Sequence, residues 1–204
     1  MKLYYSPGAC SLSPHIALLE AGLPYDLVKV DLRAKTTENG DDFLKVNPKG
    51  QVPALALDSG ELVTEGPVIV QMIADKASAR NLAPARDSAE RYKLLEWLNF
   101  ITSEVHKNFG PLFSPVLSDD AKAFFKDRVM GKFKYLDGVL AGHDYLMGKQ
   151  FTVADGYLFT MLCWAERMKF DLSAMPNLMA YQARVAARPK VQEALTKEGL
   201  MKAA

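Results

Sequence analysis

Two hydrophobic periods divide the chain. Up to about residue 76 short apolar runs suited to strands alternate with helical segments, and from Ser88 onward no strand is read and the segments are helical in period or composition. Lys2-Leu3-Tyr4-Tyr5 predicts a strand, Ser6-Pro7-Gly8 a breaker, and Ser13-Pro14 the start of a helix that stops at Ala21-Gly22. Tyr25–Val30 predicts a second strand, Asp31–Asp42 a charged and polar loop, and Phe43–Val46 a helical turn before the breaker-rich Asn47-Pro48-Lys49-Gly50. Gln51–Leu57 reads as an apolar strand entered through Pro53. Asp58-Ser59-Gly60 turns it into Glu61-Leu62-Val63, an antiparallel hairpin, and Glu65-Gly66-Pro67 opens a helix to about Lys76.

Strand, helix, strand, irregular segment, strand, strand, helix is the order of a thioredoxin-like α/β domain, here residues 1–77. A proline-bearing stretch without periodicity, 78–87, serves as linker. The remainder, 88–204, predicts an all-α domain with helices over Ala89–Lys107, Ala121–Ala141, Val153–Met168, Met175–Ala187 and Val191–Glu198. In the second of these, Phe125, Val129, Phe133, Leu136 and Leu140 form one apolar stripe.

Composition removes several function classes. With 25 basic and 24 acidic residues the net charge is +1, which leaves no electrostatic footprint for nucleic acid or an acidic membrane surface. Cys10 and Cys163 are too far apart in the chain to suggest a disulfide framework, and no apolar run approaches spanning length, so a reducing, cytoplasmic home is expected. The three His show no His-x-x-x-His spacing and the Cys no pairing, so no metal is expected.

Candidate chemistry then falls on a few positions. Cys10 sits just ahead of a helix N-terminus, where unpaired N–H groups and the macrodipole favour a thiolate and should lower its pKa. Val52-Pro53 is a candidate cis bond whose preceding residue offers its N–H and C=O to an extended peptide. Glu65-Gly66 aims a carboxylate and free N–H groups at one place, which suits an amino-acid zwitterion. On the helix from Ser88, Leu94, Leu98, Ile101 and Val105 make the apolar face while Asn99, Ser103, His106 and Lys107 lie opposite, a set more typical of a cleft than of a solvated face. Thr152 and Asp155 have capping-box spacing, so a structural role is expected for Asp155; Cys163, beside Trp164 on an apolar helix, reads as core.

Taken in order, Leu-Tyr-Tyr-Ser-Pro-Gly-Ala-Cys-Ser at the N-terminus, Asn47–Pro53, Thr64-Glu65-Gly66, Trp97-Leu98-Asn99-Phe100 with Ser103–Lys107, and Phe151–Asp155 resemble the bacterial beta-class glutathione transferases over essentially the whole chain. The resemblance implies a cytoplasmic homodimer that conjugates the glutathione thiolate, its co-substrate, to small hydrophobic electrophiles. Cys10 would face the glutathione sulfur with Ser11 and Tyr5 as lesser candidates, Val52 would pair with the tripeptide backbone, and Glu65 with Gly66 would hold the γ-glutamyl end. Lys35, His106 and Lys107 would surround the tripeptide, with Asn99 and Ser103 nearby and His106 assisting catalysis. Met130, Phe109, Phe113 and Trp164 are the candidates for lining the electrophile pocket. Glutathione-dependent thiol–disulfide exchange through Cys10 and non-catalytic binding of hydrophobic ligands are the alternatives. Ser13, where a second Cys would complete a local dithiol, removes the thioredoxin-type cycle but leaves a mixed disulfide open.

Overall fold

A computed structural model describes residues 1–201, so positions 202–204 of the expected helical domain lie outside the described residues. The chain forms two compact units, one of Met1–Ala83 with the segment from Ala186 onward, the other of Pro84–Val185. The boundary after Ala83 falls inside the expected linker. At the other end the helical unit stops at Val185 instead of running to the C-terminus.

In the first unit, among the described residues, the strands β1 (Lys2–Tyr5), β2 (Asp26–Asp31), β3 (Thr36–Thr37), β4 (Ala54–Ala56) and β5 (Leu62–Thr64) make one sheet in the order β3-β2-β1-β4-β5. β1 runs parallel to β2 and antiparallel to β4, with Leu3 opposite Leu27 on one side and Leu55 on the other. The sequence leaves β3 unpredicted because Asp31–Asp42 carries no apolar alternation. Its two residues hold their place by pairing with Val30 and Asp31 of β2.

Helix α1 (Leu12–Ala21) is buried over almost its whole length, Leu12 through Leu19, so it needs cover on more than one side. It finds that cover in α3 (Gly66–Lys76) and in the C-terminal helix, and this is why the last helix belongs with the sheet. Gly22 ends α1 as expected, in the left-handed region at φ 67°, where only glycine avoids a Cβ penalty. The turn α2 (Phe43–Val46) covers a second small core of Val30, Phe43, Val52 and Ala54, with Tyr4, Ala9 and Leu32 packed around it. Val52 is held there at 7% exposure.

The second unit contains α4 (Ala89–Phe100), a π-helical turn over Ile101–His106, α5 (Lys107–Phe109), α6 (Asp119–Val139), α7 (Val153–Arg167) and α8 (Pro176–Ala186). The last helix of the chain, α9 (Pro189–Lys197), is the one packed on α1. Leu94, Leu98, Ile101 and Val105 are all buried, as the periodicity predicts, and so are Val129, Phe133, Leu136 and Leu140, while Phe125 at the start of that stripe is only half-buried. α7 is apolar on every side and buried from Val153 to Leu162, the position of a helix at the centre of a bundle.

Candidate active site

The loop from β1 into α1 fixes Cys10 from several directions. Ser11 Oγ accepts from the Ser6 N–H at 3.2 Å and donates to the Ser6 carbonyl at 3.3 Å, closing the loop on itself. The Gly8 N–H donates to Glu198 Oε2 at 2.9 Å, and the other oxygen of that carboxylate lies 2.8 Å from His15 Nδ1 inside α1. His15 Nε2 in turn meets the Tyr25 hydroxyl at 3.0 Å. His15 and Glu198 are both buried, and such groups persist in an interior only when paired.

Cys10 Sγ donates to the Val52 carbonyl at 3.2 Å. Its acidity corrects the sequence expectation. Burial is the largest influence and pushes the thiol up to about 11, against the smaller pull of the Cys10 and Ser11 backbone N–H groups, and the Glu65 carboxylate pushes in the same direction as burial. The helix begins at Leu12, one residue before the expected Ser13, so its N-terminus does lie beside Cys10, but desolvation of a thiolate outweighs it here. In the free protein Cys10 is a thiol.

The Val52–Pro53 peptide is cis, as the sequence suggests. It is followed directly by β4, and the Glu65–Gly66 corner lies against it: a Cβ placed on Gly66 would sit 3.8 Å from Pro53 Cγ, which is ordinary contact. Glu65 adopts φ 67° just ahead of α3, a conformation non-glycine residues rarely hold, and its exposed carboxylate pairs with Lys49 Nζ at 2.7 Å. Lys49 also donates to Thr64 Oγ1 at 3.0 Å. Lys35, itself at φ 59°, donates from Nζ to the Gly50 carbonyl at 2.8 Å, two residues ahead of Val52. The first unit therefore gathers Cys10, Val52, Pro53, Glu65, Gly66 and Lys35 around the loop 49–53.

The four polar positions of the long helix separate. Asn99, Ser103 and Lys107 are exposed, whereas His106 is half-buried and turned toward α7. The π-helical turn causes the split. The Thr102 and Ser103 hydroxyls donate to the carbonyls of Leu98 and Asn99, four residues back, at 2.7 and 3.0 Å, a pattern that loosens and bends the helical ladder. The wider turn over Ile101–His106 keeps Ile101 and Val105 inside while bringing His106 Nδ1 to 2.6 Å from the Tyr157 hydroxyl. Burial, with a smaller push from the Lys107 charge, lowers the His106 pKa to about 4, so the ring is neutral near pH 7.

Asp155 is fully buried and does what its spacing predicts. It accepts from the N–H groups of Thr152 (2.7 Å) and Leu146 (2.9 Å) and from the hydroxyls of Thr152 (3.0 Å) and Tyr181 (3.0 Å). Of the candidate pocket residues, Phe109 is fully buried against Phe133, Trp164 and Phe170 and is core, while Phe113 is half-exposed with its ring 5.0 Å from that of Trp164. Met130 and Cys163 are half-buried, so Cys163 lies at the margin of the interior and not in it, its thiol pushed up to about 12 by burial.

Three partners of these residues were missed in the sequence: Lys49 on Glu65, Tyr157 on His106, and Glu198 on the Cys10 loop. Lys49 could have been found as the cation of the breaker-rich loop that leads into the predicted hairpin, whose far end is followed by Glu65. Tyr157 and Glu198 are distant in sequence from what they hold. Among the described residues no His, Cys, Asp or Glu cluster suits a metal ion, and no helix is long and apolar enough to cross a membrane.

Residues 8–76 match the family described as glutathione S-transferase, N-terminal domain, and residues 104–198 the one described as glutathione S-transferase, C-terminal domain. A relative from Escherichia coli O157:H7, glutathione S-transferase GstA, is 48% identical over 98% of this chain and 100% of its own. A sphingomonad glutathione S-transferase solved in complex with glutathione superimposes with a TM-score of 0.95 at 53% identity, over 98% of this chain and 100% of that one. A beta-class glutathione S-transferase from Sphingomonas chungbukensis does so with a TM-score of 0.96 at 52% identity and the same coverage.

Proposed function

Because this chain belongs to the glutathione S-transferase family, as those matches over nearly its full length require, we propose the following account of how its residues serve that chemistry. It is an enzyme that transfers the glutathione thiolate to an electrophile. The electrophile is small and hydrophobic, the working form is a cytoplasmic homodimer, and the site lies on the loop 49–53 of the sheet-bearing unit.

The Val52 main chain at the cis bond pairs with the backbone of the tripeptide, Glu65 takes the γ-glutamyl ammonium, and Gly66 with the first N–H groups of α3 takes its carboxylate. Lys35 lies beside this peptide-binding edge, its Nζ on the Gly50 carbonyl. Catalysis comes from stabilising the thiolate and from holding sulfur and electrophile together. The observation that carries the reading is the convergence of Cys10, the cis Val52–Pro53 bond and the Glu65–Gly66 corner, with the sulfur 3.2 Å from the Val52 carbonyl.

Titration calorimetry with glutathione tests it. Glu65→Ala should weaken binding by about 2 kcal/mol or more, since it leaves an ammonium without its carboxylate, while the melting curve holds. Unchanged affinity would remove Glu65 from the site. A second reading, thiol–disulfide exchange through Cys10, is favoured by the place of that sulfur at the same carbonyl. Cys10 would attack the disulfide of a glutathione mixed disulfide and expel the other partner as its thiolate.

A further inference from the structure

Glu65, read above as the partner of the γ-glutamyl ammonium, already has a cation beside it. Lys49, on the loop 49–53, places Nζ 2.7 Å from Glu65 Oε1 and 3.0 Å from Thr64 Oγ1. The two side chains are 51% and 64% exposed. An ion pair this open to solvent contributes little to folding, since water screens it and two long side chains must be held still. The backbone on either side is fixed by other bonds. The Glu65 carbonyl accepts from the Val68 and Ile69 N–H groups of α3, both at 3.0 Å, and the Lys49 N–H donates to Asn47 Oδ1 at 3.2 Å. The pair does not shape the corner, so its significance lies in its charges.

A γ-glutamyl group carries its ammonium and its carboxylate on one carbon, so whatever draws in the ammonium has the carboxylate close by. Glu65 attracts the first and repels the second. Gly66 adds a backbone N–H but no side chain to offset that repulsion. Lys49 is the cation already in place. Its ammonium has three N–H donors, and the two contacts above engage two of them. Lys49 occupies Oε1 of Glu65 and leaves Oε2 for the ligand ammonium. Two cations on one carboxylate repel each other unless an anion lies between them, and the ligand carboxylate is that anion.

We propose that Lys49 is a glutathione-binding residue: it stays paired with Glu65 and gives its third N–H to the γ-glutamyl α-carboxylate, so that Lys49, Glu65, ligand ammonium and ligand carboxylate close a ring of alternating charge. This rests on the reading that Glu65 and Gly66 hold the γ-glutamyl end. The ring makes the corner selective for a free α-amino acid end, because a peptide that lacks either charge leaves two like charges facing each other.

Titration calorimetry of the full chain with glutathione and with γ-aminobutyryl-cysteinylglycine, the same tripeptide without its α-carboxylate, reads the contact. Lys49→Met keeps the aliphatic stem and removes the charge. It should weaken glutathione binding about three- to tenfold, leave the analogue bound at least as tightly as by the wild type, and leave the melting curve unmoved. Lys49→Arg, which keeps a cation there, should recover most of the loss. Glu65→Ala should weaken both ligands. The proposal is overturned by unchanged glutathione affinity in Lys49→Met, or by equal weakening of both ligands, which would mean that Lys49 acts only by aiming Glu65. Tighter glutathione binding in Lys49→Met would also overturn it, by making Lys49 a competitor for the place of the ligand ammonium. Both ligands bound as before by Glu65→Ala would take down the assignment of Glu65 and the proposal with it, and this failure shows in a different variant from the other three.

Discussion

Asp155→Ala separates a scaffold role from a chemical one, and its cost can be worked from the structure. The carboxylate is fully buried and accepts from two backbone N–H groups, of Thr152 and Leu146, and from two hydroxyls. The hydroxyls can turn to other acceptors, Tyr181 to the Asp155 carbonyl it already reaches at 3.2 Å. The two amides cannot, and each stranded buried donor costs about 1–3 kcal/mol, so a loss of about 2–6 kcal/mol is expected. Burial also pushes the Asp155 pKa up from 3.8 to about 6. An acid with a raised folded pKa binds its proton more tightly when folded, so its contribution is fullest below the unfolded value and is lost as pH rises through the folded one. Between pH 5 and pH 7 that amounts to about 1 kcal/mol at 1.36 kcal/mol per unit. Urea unfolding of both proteins at the two pH values isolates the effect, since all other titrations cancel in the difference. The gap between wild type and Asp155→Ala should be wider at pH 5 by about that amount, with the turnover of folded enzyme near normal. A gap that widens toward pH 7, or unchanged stability with collapsed turnover, would refute the reasoning.

The buried Glu198 carboxylate holds both the Gly8 N–H and His15, so Glu198→Ala should cost about 3–5 kcal/mol and lower the melting temperature by roughly 10 °C; a shift below about 2 °C would show the C-terminal segment to be dispensable for the Cys10 loop. Because burial pushes the Cys10 thiol up to about 11, alkylation of the glutathione-free protein by iodoacetamide should be slow at pH 7 and still climbing at pH 9, and adduct formation with oxidised glutathione should climb with it. A rate that levels off below pH 8 would contradict the buried-thiol picture.

Much of this architecture was legible because single residues impose it locally. Gly22 ends α1, Pro53 marks the cis bond, and the Thr152–Asp155 spacing caps α7, each with chemistry that acts over at most a few residues. What was not legible depends on partners far along the chain. The place of α9 follows from the all-round burial of α1, which a period count of either helix does not contain. β3 exists through its pairing with β2. The direction of His106 follows from a π-helical turn, which an assumed 3.6-residue period places on the wrong face. The Cys10 pKa departs from the sequence expectation for a related reason: the helix terminus shows in sequence, and the depth of burial that opposes it does not.

The central claim is that glutathione's own sulfur is the nucleophile, bound at the Cys10–Val52–Glu65 corner. Steady-state thioether formation from glutathione and an activated aryl halide, run beside reduction of a glutathione mixed disulfide in wild type and in Cys10→Ala, tests it most directly. The account predicts saturable conjugation in the wild type, conjugation that falls but persists in Cys10→Ala, and disulfide exchange that is lost there. Conjugation no faster than the uncatalysed reaction in the wild type, or abolished together with exchange in a folded Cys10→Ala, would contradict it.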